Sequence, residues 1–113
     1  MKPLKKTRKI YQRIMNLEES LKRAEIRASL HPDREQDLSY QLNHQTLKEL
    51  IEEYQIACAL TIRDLSDHPD PDVVAVGIAY ACDGLTAREI ADEFYMSERN
   101  VYNFIDEAEA YLQ

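Results

Sequence analysis

A chain of 113 residues with two Gly, four Pro and no Trp has the length of one domain and the composition of a helical one. There is no apolar run of about 18 residues and no signal-peptide hydrophobic segment, and Cys58 and Cys82 form no CxxC pair or metal-spaced cluster. No membrane span and no disulfide or metal framework is therefore expected, and the chain reads as a reduced, soluble, cytoplasmic protein. The net charge of −7 is unevenly spread: residues 1 to 32 hold nine Lys and Arg against three Glu, whereas residues 33 to 113 hold five against eighteen acids.

Leu4 to Leu30 reads as one long helix. Ile10, Ile14, Leu17, Leu21, Ala24 and Ala28 recur at alternating intervals of four and three, a heptad seam on a helix of roughly 40 Å at 1.5 Å per residue. His31, Pro32 and Asp33 supply its stop, because the residue before Pro is pushed out of the α region. A second long helix is expected to start between Asp33 and Leu38 and to run to about Leu65, with Leu47, Ile51, Tyr54, Cys58, Ile62 and Leu65 as its stripe. The two helices pair either as an antiparallel hairpin or as a parallel coiled coil between two copies of the chain.

Asp67 to Asp72 is the linker between a 1–66 hairpin and a 73–113 unit. Its three Asp and two Pro lack the alternating ligands, central Gly and final Glu of a calcium loop. Asp70 fits as an N-cap and Pro71 as the first helical residue. The following apolar run to Asp83 is expected to be the buried central helix, with Gly77 permitting close approach of a neighbour.

From Asp83 to Leu112 the chain spells two more helices. Thr86 and Glu89 form a capping box, and Ser97 caps a final helix whose inner face is Val101, Ile105, Ala108 and Leu112. Two short helices with a tight connection outline a helix-turn-helix. The expected fold class is thus all-α: a long helical hairpin followed by a three-helix unit containing a helix-turn-helix.

Gly84-Leu85-Thr86, then Glu89-Ile90-Ala91, then Met96-Ser97-Glu98-Arg99-Asn100-Val101 resemble the helix-turn-helix of sigma-factor C-terminal domains and of phage late-gene transcription regulators of the ArpU type. The resemblance covers the last third of the chain. It implies that Ala91 lets the two helices cross closely, that Val101 and Ile105 face the core, and that the last helix enters the major groove. Tyr95 departs from the pattern, standing where the turn usually carries Gly.

No catalytic, phosphate-loop or metal arrangement stands out, so neither an enzyme nor a cofactor is expected. His31, His44 and His68 read as scattered surface residues. On the last helix Arg99 can bridge guanine O6 and N7, Asn100 or Asn103 can pair with adenine, and Tyr102 lies on the same solvent side. Glu98, Asp106, Glu107 and Glu109 oppose them, and residues 72 to 113 offer only Arg88 and Arg99 against nine acids. Phosphate anchoring is therefore assigned to Lys5, Lys6, Arg8 and Lys9 at the N-terminus, where positive charge opposes the helix dipole and needs a compensating partner. The expected function is a DNA-binding transcription regulator that forms a homodimer through its long helices. The alternative is an acidic module that binds RNA polymerase, another regulatory protein or itself.

Overall fold

The computed structural model describes residues 2–30 and 38–113. Among them the chain is all-helical: α1 is Pro3–Leu30, α2 Leu38–Leu65, α3 Pro71–Ala81, α4 Ala87–Glu93 and α5 Glu98–Leu112. The stop expected at His31, Pro32 and Asp33, and the surface position of His31, lie outside the described residues.

Helices α1 and α2 pack antiparallel, for Tyr11 meets Tyr54 with ring centroids 5.8 Å apart and, further along α1, Glu25 faces the earlier His44 across 4.0 Å. Ile10 and Ile14 bury against Leu50, with Leu17, Leu47, Tyr54 and Ala57 around them. Part of the α1 seam is therefore satisfied inside one chain. The seam fades outward, since Ala28 is exposed.

The inner face of α2 differs from the expected stripe. Leu50, Tyr54, Ala57, Thr61 and Leu65 point inward, whereas Ile51 and Ile62 stand outside, Ile62 with 42% exposure. The reason is Thr61, whose hydroxyl donates to the Ala57 carbonyl one turn back at 2.8 Å and so enters the interior with its polar group satisfied;. Small Ala57 beside it leaves room for α1.

The main core lies in α3, α4 and α5. Val73 and Val76 of α3, Ile90 and Ala91 of α4, and Val101, Ile105 and Ala108 of α5 form one cluster, into which α1 contributes Leu4 and α2 contributes Leu65. A Cβ on Gly77 would lie 2.6 Å from Leu65 Cδ2 and 3.3 Å from the Ala108 Cβ. Glycine is what lets α3 sit this close to α2 and α5.

Local signals decide the ends of these helices. Asp70 Oδ1 accepts from the Asp72 amide at 2.9 Å, with Pro71 opening α3. At α4 both halves of the capping box form, Glu89 N to Thr86 Oγ1 at 3.2 Å and Thr86 N to Glu89 Oε1 at 3.0 Å. The hydrogen bond from the Thr86 backbone holds the exposed Glu89 carboxyl below its ordinary range;. Helix α4 then ends with Tyr95 at φ 53° and the Met96 amide donating to the Ala91 carbonyl at 3.0 Å, the hydrogen-bond pattern of a left-handed helix stop. The left-handed residue is Tyr rather than the usual Gly.

Candidate nucleic-acid interface

Helix α5 is opened by Ser97, whose hydroxyl accepts from the Asn100 amide at 3.2 Å, and is held by Val101, Ile105 and Ala108 in the core. That register leaves Arg99, Asn100, Tyr102 and Asn103 exposed. Arg99, Tyr102, Asn103 and Asp106 fall at i, i+3, i+4 and i+7 and therefore share one outward face. Asn100 lies toward the next face, two helical turns before Glu107;. Arg88 is also exposed, on α4. In the connection before α5, Tyr95 is 96% exposed despite its left-handed backbone. An ordinary L-residue pays roughly 1–2 kcal/mol for that conformation, and no buried contact of the ring offsets it.

The basic N-terminus is docked on the core. Glu109 of α5, only 2% exposed, accepts from the amides of Leu4 at 2.7 Å and Lys5 at 3.2 Å. This carboxylate caps the start of α1 and supplies the negative charge that its cationic first turn requires. Lys2 adds a looser pair with Asp106 at 4.0 Å. Glu109, one of the acids set against DNA contact on this helix, is thus withdrawn from its exposed charge, because two amides distant in sequence satisfy its oxygens.

Arg8 is likewise used inside the fold. Its guanidinium donates to the carbonyls of Tyr80 at 2.8 Å and Leu85 at 2.6 Å and stacks over the Tyr80 ring, 4.5 Å from the centroid. From the other side the Tyr54 hydroxyl donates to the carbonyls of Ala81 and Cys82. The carbonyls of Tyr80, Ala81 and Cys82 are among those that the C-terminus of α3 leaves without intrahelical partners, and that of Leu85 belongs to the connection that follows. Burial, and then the hydrogen-bonded Cys58, raises the Tyr54 pKa, so the phenol keeps the proton it donates. By contrast Lys5, Lys6 and Lys9 project into solvent.

His68 also departs from the surface position expected of it. Its side chain is 8% exposed, Nδ1 accepts from the Asp70 amide at 3.0 Å, the ring meets Tyr111 edge-on at 4.7 Å, and Nε2 lies 3.7 Å from Glu107. It ties the α2–α3 connection to α5. Among the described residues no cluster of His, Cys, Asp and Glu is arranged to hold a metal, and no helix is long and apolar enough to cross a membrane.

Only one of these roles had a partial signal in the sequence. The cationic first turn of α1 calls for an acid, but which of the many acids supplies it has no local mark; Arg8 has no signal separating it from Lys5, Lys6 and Lys9. No family model, curated protein or solved structure matches this chain. The resemblance of the last third therefore rests on the residues quoted for it.

Proposed function

We propose that this protein is a transcription regulator of the phage type, which binds DNA by laying α5 of a sigma-like helix-turn-helix in the major groove. The observation that carries the reading is the exposed row of Arg99, Tyr102 and Asn103 on a capped helix fixed to the core by its opposite face. Arg99 pairs with a guanine edge and Asn103 or Asn100 with an adenine edge, each good bidentate contact being worth about 1–3 kcal/mol of base discrimination. Lys5, Lys6 and Lys9 supply phosphate contacts beside it. Selection of bound duplexes from a random pool tests this: the unaltered protein enriches a short motif, and Arg99→Ala relaxes one position of it. Failure to enrich any motif, with or without RNA polymerase, contradicts the reading.

A second reading is supported by Glu98 and Asp106, which stay exposed on the same helix. In it the α5 face meets a basic protein surface, on RNA polymerase, on another regulator or on a second copy. A homodimer through the long helices would use side chains that the chain leaves open, Ile56 and Leu60 of α2. Sedimentation at micromolar concentration distinguishes it from a monomer.

A further inference from the structure

We propose that the outer face of α1 is a sequence-independent phosphate track running the length of the helix, so that the chain grips the DNA backbone along α1 as well as beside α5. This extends the DNA-binding reading but does not require α5 to read bases.

The track is a row at helical spacing. Its basic members are Lys5, Lys9, Arg23 and Arg27, and the positions between them are Gln12, Asn16 and Ser20, with intervals of three and four throughout; all seven are exposed. Lys6 and Arg13, also exposed, flank it. The row lies nearly opposite Ile10, Ile14 and Leu21, three of the buried residues of α1;. From Lys5 to Arg27 it extends about 33 Å at 1.5 Å per residue, close to one turn of duplex DNA.

The composition of the row selects the partner. A protein interface needs apolar side chains at its centre, and a membrane surface needs an apolar face to bury, but this row contains no apolar residue. It contains no acid either, in a chain whose net charge is −7. Glu19 at its edge holds Arg23 at 2.6 Å, an exposed pair of a kind worth little, which a phosphate can displace. Cations and neutral hydrogen-bonding groups with no apolar content match a sugar–phosphate backbone, which is recognised by charge and hydrogen bonds alone. The docking of Leu4 and Lys5 on Glu109 keeps the row rigidly attached to the unit that carries α5.

The test measures binding of the full chain to random duplexes by fluorescence anisotropy from 50 to 200 mM salt. Three variants are compared: Lys5→Gln with Lys9→Gln and Arg13→Gln; Arg23→Gln with Arg27→Gln; and Arg99→Ala. Circular dichroism verifies that each is folded. The first two are expected to weaken binding to every duplex and to flatten the log-log salt dependence by about 0.9 for each phosphate no longer neutralised, hence about 1.8 for the Arg23 and Arg27 pair. Arg99→Ala is expected to leave the slope for random duplexes nearly unchanged. If the Arg23 and Arg27 pair leaves affinity and slope as they were, the track is overturned while base reading by α5 survives. If the slopes fall as expected but no duplex is preferred over another, the track stands and base reading falls. A salt-sensitive oligomer of the protein alone, dissolved by the same substitutions, would make the face a contact between copies and overturn the inference.

Discussion

The α3–α5 unit and the α1–α2 pair are both helical but are held together by different means. In α3–α5 the cap side chains lie within three residues of the amides they receive, and Val73, Val76, Ile90, Val101, Ile105 and Ala108 close a dense core. In α1–α2 the separate core is small, centred on Ile10, Ile14 and Leu50, and α2 leaves Ile51, Ile56, Leu60 and Ile62 exposed. What anchors the pair is its end: Leu4 and Leu65 enter the larger core, Glu109 caps α1, and Arg8 and Tyr54 cap α3. A long helix with a thin seam is positioned here by polar contacts that span most of the chain length.

The two cores are expected to differ most in what a truncation costs. Ile105→Ala is expected to cost about 2–5 kcal/mol, and Ile14→Ala to fall at the lower end of that range because fewer buried groups surround it. Urea denaturation measures both; equal losses would mean that the two cores bear equal weight. Next, Glu109→Ala leaves the Leu4 and Lys5 amides without their acceptor and should cost about 1–3 kcal/mol. Native-state hydrogen exchange sharpens that result: protection falls at Leu4 and Lys5 more than at the centre of α3 if the carboxylate is the clamp described. Leu4 is itself fully buried, so deleting the first nine residues would test folding and binding together, and charge-removing substitutions are the cleaner probe of the basic segment.

Tyr95→Gly is a smaller change of opposite sign. Relief of the left-handed backbone, less the greater flexibility of Gly in the unfolded chain, should stabilise the protein by up to about 1 kcal/mol. If the exposed Tyr95 ring belongs to the proposed interface, the same variant binds DNA more weakly while melting higher. A variant that melts higher and binds equally well would remove Tyr95 from the interface.

The remaining effect concerns pH. Burial first, and then its hydrogen-bonded neighbour Cys58, pushes the Cys82 thiol from 9.0 to about 12. The unfolded chain therefore releases this proton before the folded one, and the stability associated with the neutral thiol is lost progressively as pH rises from 9 towards 12. Tyr54, also raised by burial, adds a further loss above pH 10. Denaturation at pH 8 and 10 should show a decline that Cys82→Ala reduces.

How much of this was legible in the sequence follows the same division. The caps at Asp70, Thr86 and Ser97, the inner residues Val101, Ile105 and Ala108, and the helical class all rest on neighbours within one or two turns, and local chemistry specifies them. The register of α2 was not legible, because Thr61 looks polar until its hydroxyl is seen bonded to Ala57, and the apolar Ile51 and Ile62 draw the expected stripe toward themselves. Glu109, Arg8 and His68 have partners that only the folded chain brings near. Of the proposed contact residues, the structure brings Arg99, Tyr102 and Asn103 to one exposed face, leaves Arg88, Lys5, Lys6 and Lys9 in solvent, and commits Arg8 to the fold.

The most direct test of the DNA-binding account is a titration of isotope-labelled protein with a short duplex, followed by backbone amide and arginine side-chain resonances. Shifts are expected to concentrate at Arg99 to Asn103 and along the outer face of α1 from Lys5 to Arg27, with α3 and the inner face of α2 silent. Shifts confined to Ile51, Ile56, Leu60 and Ile62 of α2, or none at low salt, would contradict it.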